Sequence, residues 1–168
     1  LDVYFAAVCV FAVNQSSGPS QLIRAFKKPT LMVNRVVDWD INPINEILLF
    51  KHYVRKTTGK RMTYSQILED GLSELTMDHE FDKADIRIEE NSPEELKVAV
   101  EEFIEAVTGK KEYSIKIRDR FADISKQHEI RFKTQKNQTM GQGECFGFAY
   151  SRGNLSERAL EFNREFLS

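Results

Sequence analysis

The sequence predicts an α/β protein, a Rossmann-like parallel sheet flanked by helices. Three observations predict it: a strand–turn–helix–strand pattern in residues 10–33, a further apolar run at residues 47–50, and well-marked helix starts downstream. A strand, helix and strand in succession favour a parallel pair joined by a crossover. Because 41% of the 168 residues are hydrophobic and 30% are charged, the chain can build one core. We expect a single domain over residues 1–168, with a helical part from about residue 92.

The first unit begins with the end of a helix at residues 2–7. The apolar run from Val10 to Val13 contains β-branched residues and is typical of a strand buried on both faces of a parallel sheet. A helix at residues 20–27 follows and is ended by Pro29. Residues 30–33 then form a second short apolar strand.

The turn between this first strand and its helix is the candidate ligand site. A glycine allows the backbone to approach a ligand, a proline suits the first helical position, and serines supply hydroxyl donors. Free N–H groups and the helix dipole would favour a phosphate or carboxylate there. The same composition begins many helices that bind nothing, and that alternative stays open. The residues of this turn are Ser16, Ser17, Gly18, Pro19 and Ser20.

Two further segments are expected at the same edge of the sheet. Ligands of parallel sheets lie beyond the carboxyl ends of the strands, so the segments Asn14–Ser17 and Asn34–Trp39, which follow the two predicted strands, become neighbours there. Residues 38–45 have turn chemistry, with Asn42–Pro43 as the clearest break.

The basic segment at residues 51–61 follows the apolar run at residues 47–50. Its default interpretation is a loop or solvated turn, because most runs of charge are solvated. The alternative is that Lys51 and Arg61 bring positive charge to a diphosphate.

Helix and strand signals continue downstream. Thr63 and Gln66 have capping-box spacing, and residues 85–89 alternate as in a strand near a sheet edge. Ser92 followed by Pro93 predicts a helix that runs to about residue 108 and is stopped by a glycine. The predicted solvent-exposed face of that helix consists of Glu101, Glu102 and Glu105.

The carboxyl-terminal third is predicted to contain two more helices. They cover residues 112–127 and 156–167, each with spaced apolar residues. Residues 134–153 are rich in glycine, show little periodicity and are predicted to form a loop.

Composition and motifs exclude several functional classes. A net charge of −2 gives no field suited to nucleic acid. His52, His79 and His128 are scattered without metal-ligand spacing, so no metal site is expected. Neither a P-loop nor a dinucleotide-binding fingerprint is present, so no cofactor is expected.

The cysteines and the apolar opening bear on location. Cys9 and Cys145 are far apart in sequence and fit reduced thiols, which favours the cytoplasm. Residues 3–13 are too few to span a bilayer and lack the features of a secretory signal, so no integral membrane segment is expected. A start at Leu1 inside a hydrophobic element predicts that an upstream part of a longer protein precedes this fragment.

Several motifs resemble, in order, the carboxyl-terminal half of a bacterial family of glycosyltransferases linked to surface polysaccharides. The first comprises the run from Asn14 to Ser20, the strand entry Lys28-Pro29-Thr30-Leu31, and Asn34. The second joins Lys51 to Thr58-Gly59-Lys60-Arg61-Met62-Thr63. The third is the helix start Glu90-Asn91-Ser92-Pro93-Glu94-Glu95-Leu96.

This resemblance implies the donor lobe of a two-lobed (GT-B) transferase, whose missing N-terminal lobe carries the acceptor. The lobe would bind a nucleotide sugar as substrate, with its diphosphate on the turn at residues 16–20. Asn14, Asn34, Lys51 and Arg61 would be possible further donor contacts, and transfer would be independent of metal. No residue is assigned as catalytic. The alternatives are a nucleotide-sugar epimerase-like enzyme and a non-catalytic interaction or regulatory domain derived from such a fold.

Overall fold

The computed structural model describes residues 2–37, 45–136 and 153–168, with side chains between residues 128 and 152 outside the description. The strands are β1 (Ala12–Asn14), β2 (Thr30–Arg35), β3 (Glu46–Phe50), β4 (His52–Arg55), β5 (Ile86–Glu89) and β6 (Asn154–Leu155). The helices are α1 (Asp2–Val8), α2 (Gly18–Ala25), α3 (Tyr64–Glu69), α4 (Asp78–Lys83), α5 (Pro93–Val107), α6 (Ile115–Lys136) and α7 (Glu157–Leu160).

Four strands form one parallel sheet in the order β1-β2-β3-β6. Leu31 of β2 lies opposite Val13 of β1 on one side and Ile47 of β3 on the other. The predicted α/β class and the predicted parallel pair on either side of α2 are confirmed. Strands β4 and β5 form a separate antiparallel ribbon.

Helices cover both faces of the two central strands. Leu31 and Leu49 belong to a buried cluster that includes Phe103 of α5. Met32 and Leu48 point the other way, into a cluster that includes Phe121 of α6. Because side chains alternate along a strand, these neighbouring residues enter opposite cores. The predicted arrangement of a sheet flanked by helices is therefore confirmed.

Burial of the first strand on both faces is a wrong prediction. Strand β1 begins at Ala12 and lies at the edge of the sheet, with β2 as its neighbour. Val10 is 77% exposed and Val13 is 45% exposed. An apolar run indicates a strand, but only its neighbours in three dimensions decide whether the strand is central or at an edge.

The basic segment is only partly a turn, which corrects the default interpretation. Residues 52–55 form β4, where Tyr53 and Val54 are buried, and β4 pairs with β5. The turn is confined to the residues around Gly59, whose φ is +66°. The strand was not predicted because charged residues flank it on both sides. Its burial depends on residues that are distant in sequence, including those of β5.

The helix starts predicted from capping boxes are confirmed. Thr63 caps α3 and Ser92 caps α5, each with a reciprocal hydrogen bond from the residue three positions later. The predicted last helix is wrong in length, since α7 ends at Leu160 and a 3₁₀ turn follows at Glu161–Asn163. The short helix α4 was not predicted.

Two predicted loops fall partly on residues that the structure does not describe. Asn42–Pro43 and Cys145 lie outside the described residues. Within the predicted loop at residues 134–153, α6 continues to Lys136 and β6 starts at Asn154, directly after the loop. No helix in the described part of the chain has the length and apolar character needed to cross a membrane.

Candidate functional site

The candidate site lies at the carboxyl edge, defined here as the ends of β1, β2 and β3 with the described residues that directly follow them. Helix α2 follows β1 at this edge. Helix α5 also begins here, because the Asn91 side chain just before it donates to the Phe50 carbonyl at the end of β3, at 2.8 Å. Helices α2 and α5 thus direct their positive ends toward one side of the sheet.

The predicted ligand turn forms an exposed corner of this edge. Ser16, Ser17, Gly18 and Pro19 are exposed, whereas Ser20 is buried. The hydroxyl of Ser17 donates to the Gln15 carbonyl at 3.3 Å, and that of Ser20 donates to the Ser17 carbonyl at 2.6 Å. The hydroxyls of Ser17 and Ser20 therefore bond within the turn. Of the N–H groups that open α2, that of Ser20 also donates to the Ser17 carbonyl at 3.1 Å and Pro19 has none, so the Gly18 N–H is the candidate donor to a ligand.

Open space surrounds the glycine of this turn. A β-carbon built on Gly18 would meet no heavy atom within 4 Å. Asn14 lies just before the turn, and its Oδ1 accepts from the Gln15 N–H at 2.9 Å. The corner is open to a ligand from solvent.

A buried ion pair fixes the other end of α2 to the sheet. Arg24 Nε lies 2.5 Å from Glu46 Oε1, and Arg24 Nη2 lies 2.9 Å from Glu46 Oε2. Glu46, the first residue of β3, is 1% exposed. This two-point contact sets the orientation of α2, and therefore the direction in which its first N–H groups point.

Asn34 and Asn91 form a reciprocal bridge across the carboxyl edge. The Asn34 N–H donates to Asn91 Oδ1 at 3.2 Å, and the Asn91 N–H donates to Asn34 Oδ1 at 2.8 Å. Asn34 has a φ of +48°, a left-handed conformation that asparagine tolerates. The Oδ1 atom of Asn34 therefore has a structural role. Contact between Asn34 and the nucleotide sugar stays a prediction, and the Nδ2 group is the atom that would make it.

The two predicted cations occupy different positions. The Lys51 N–H donates to the Arg35 carbonyl at 2.8 Å, which places Lys51 at the carboxyl edge next to the end of β2. Its Nζ lies 3.2 Å from the exposed carboxylate of Glu90. Arg61 instead donates from Nη1 to the Phe162 carbonyl at 2.8 Å, in the carboxyl-terminal segment.

A buried histidine–glutamate pair lies beneath this edge and was missed by sequence reasoning. His52 Nε2 is 2.7 Å from Glu95 Oε1, and both side chains are buried. The other carboxylate oxygen of Glu95 accepts from the Ser92 N–H at 2.7 Å, within the capping box of α5. The sequence signal was the capping box, which gave no indication that its glutamate also binds a side chain from β4.

Burial lowers the pKa of His52 below its ordinary value, and the negative charge of Glu95 opposes that shift only in part. Positive charge from Arg61 lowers the pKa further, whereas Glu89 raises it. A neutral imidazole that donates from Nε2 to Glu95 fits this environment.

Acidification is expected to destabilise the protein through His52. Because the pKa is lower in the folded state, the unfolded chain binds the proton more readily, and stability falls as pH drops below the unfolded value of about 6.5. The slope contributed by this one group is at most about 1.4 kcal/mol per pH unit. Urea unfolding from pH 8 to pH 5 would measure it.

The control for this prediction is the exposed His79. His52→Gln should flatten the dependence below pH 6.5, whereas His79→Gln should leave it unchanged. An identical pH profile for wild type and His52→Gln would contradict the assignment.

Glu102 corrects the predicted solvent-exposed face of α5, since it is 0% exposed. It accepts from the Ser156 hydroxyl at 2.7 Å, and Lys111 Nζ lies 3.3 Å from its other oxygen. Lys111 also lies 2.9 Å from Glu157. Burial, reinforced by the charges of Glu102 and Glu157, raises the pKa of Tyr113 nearby. These compensated charges join α5 to α7, which is a structural role.

Among the side chains of residues 2–37, 45–127 and 153–168, no three or more histidine, cysteine, aspartate or glutamate residues come together in a way that could hold a metal ion.

The described residues define an α/β protein whose four-stranded parallel sheet, flanked by helices, is compatible with a Rossmann-like fold. No family model, curated protein or solved structure matches the chain.

Proposed function

We propose that this protein is the donor-binding lobe of a glycosyltransferase, which transfers a sugar from a nucleotide sugar to a glycan or another acceptor. The observation that carries the proposal is the exposed turn of Ser16, Ser17 and Gly18, which opens α2 at the carboxyl edge of a parallel sheet. Ligands of such sheets lie at this edge, and a helix start attracts phosphate.

The proposed chemistry is stabilisation of the departing nucleoside diphosphate. Negative charge grows on the diphosphate as the glycosidic bond breaks, and preorganised donors lower the energy of that charge. The Gly18 N–H at the start of α2 supplies such a donor, and the exposed hydroxyl of Ser16 adds another. Lys51 adds a positive charge at the same edge when its side chain turns away from Glu90. The nucleotide sugar is a substrate, and the proposal includes no cofactor.

The proposal includes a second lobe of the same protein. Four of the seven residues of α1 are large hydrophobic side chains that are more than half exposed. Single exposed apolar side chains are ordinary, but such a concentration is typical of a surface that another domain covers. These residues are Val3, Tyr4, Phe5 and Val8.

A non-catalytic interaction domain is the second candidate function. It is favoured by the exposure of the turn at residues 16–19, which forms a corner and not an enclosed cleft. A measurement of nucleotide-sugar binding distinguishes the two functions, because only the glycosyltransferase lobe is expected to bind a nucleotide sugar.

Donor binding is expected to depend on the size of the side chain at position 18. Calorimetric titration with UDP-, GDP- and CMP-sugars should identify a donor for the wild-type chain. Gly18→Val should weaken its binding by about tenfold or more, equivalent to about 1.4 kcal/mol, because the branched side chain blocks approach to the N–H groups. The fold should be unaffected, because the new β-carbon enters open space.

Gly18→Ala is the matched control, and we expect it to lose much less affinity than Gly18→Val. Unchanged affinity in Gly18→Val would place the donor elsewhere. Absence of binding for every nucleotide sugar, in a chain shown to be folded by circular dichroism, would favour the interaction domain.

A further inference from the structure

A groove separate from the carboxyl edge lies between the first turns of α6 and the carboxyl-terminal segment. Its volume is about 520 Å³, which is within the range of small-molecule sites. None of the residues assigned above to the nucleotide sugar lines it. The lining consists of Ser114, Lys116, Ile117, Arg120, Glu157, Leu160, Glu161, Arg164 and Leu167.

Positive charge dominates the rim of this groove. Lys116 and Arg120 lie one turn apart on α6 and therefore project from the same face of the helix. Arg164 faces them from the carboxyl-terminal segment. Nε of Arg120 donates to the Leu167 carbonyl at 3.1 Å, which holds this guanidinium across the groove.

The two carboxylates of the lining do not cancel this charge. Glu157 accepts from the Ser114 N–H and lies 2.9 Å from Lys111 Nζ, so its charge is already compensated. Glu161 is exposed and is the one carboxylate of the lining left to oppose the three cations.

The floor of the groove is apolar. Ile117, Leu160 and Leu167 contribute side chains that are only half buried. An inorganic anion would use the cations and leave this surface in water, whereas an uncharged apolar molecule would leave the cations without partners. A ligand that combines both chemistries uses the whole lining.

We propose that this groove binds a phosphomonoester attached to a short apolar chain. A phosphate dianion suits three neighbouring cations better than a singly charged group does. The apolar chain covers the floor. This ligand is additional to the nucleotide sugar proposed above.

The test uses octyl phosphate, inorganic phosphate and octanol as probes of the full chain, followed by two-dimensional NMR. Octyl phosphate should bind saturably, with shift changes in residues 114–120 and 157–167, and at least about tenfold more tightly than either other probe. Equal affinity for inorganic phosphate or for octanol would overturn the proposal.

Charge variants provide a second readout. Lys116→Ala with Arg164→Ala should weaken octyl phosphate binding by about tenfold or more, and Glu161→Gln should tighten it. The matched control removes two exposed cations elsewhere, Arg87→Ala with Lys97→Ala, and should leave affinity unchanged. Equal binding by the wild type and the first double variant would also overturn the proposal. Because the nucleotide-sugar titration uses other residues, either proposal can fail without the other.

Discussion

Arg24→Ala is expected to lower the free energy of unfolding by about 3–5 kcal/mol, as removal of one partner of a buried ion pair does. Glu46 is 1% exposed, and the guanidinium of Arg24 contacts both of its carboxylate oxygens. Alanine leaves a carboxylate in a place from which water is excluded. Chemical denaturation at pH 7 would measure the loss.

A double variant distinguishes the unpaired charge from lost packing. Arg24→Met with Glu46→Leu removes both charges and should recover most of the stability, because the desolvation cost of the pair disappears with it. Arg87→Ala is the control, since its pair with Glu89 is exposed and contributes at most about 1 kcal/mol. A stability of Arg24→Ala within about 1 kcal/mol of wild type would contradict the assignment.

The same substitution has a consequence for the proposed donor site. Because Arg24 fixes the end of α2, its loss should let the first turn of that helix move. Nucleotide-sugar affinity should then fall even under conditions where the variant remains folded. The double variant should recover stability but not the affinity, since the two-point contact that orients α2 is absent in it.

Phe121→Ala is the second large effect, with an expected loss of about 3–5 kcal/mol. Phe121 is 0% exposed and lies at the centre of an aromatic cluster. Its ring centroid is 4.8 Å from that of Tyr64 and 6.0 Å from that of Phe50. The cavity left by the substitution separates α6 from α3 and from the end of β3. The melting temperature should fall by on the order of 10 °C.

Phe162→Ala is the matched control, because this phenylalanine is 46% exposed. It should cost about 1 kcal/mol or less. Comparable losses for the two variants would show that the cluster around Phe121 does not form the core.

Features that depend on a few neighbouring residues were predictable from the sequence. The capping boxes at Thr63 and Ser92 place α3 and α5 correctly, because the cap and its partner are three residues apart. The parallel pair of β1 and β2 followed from a short helix between two apolar runs, because chain geometry leaves few other connections. The exposed turn at Gly18 is local as well.

Features that depend on what packs against a residue were decided only by the tertiary structure. Val13 is exposed because β1 is an edge strand, and Glu102 is buried because Ser156, 54 positions away and just before α7, packs against it together with Lys111. The local pattern identifies Glu95 only as the partner of Ser92 in a capping box. Glu95 becomes the partner of His52 as well because β4 lies beside the start of α5. The sequence alone determined most of the segments that become helices or strands, with β4 and α4 as exceptions, and it determined where α3 and α5 start. Exposure, charge pairing and the neighbours of each strand were decided by long-range packing, since these energies depend on residues that the local sequence does not contain.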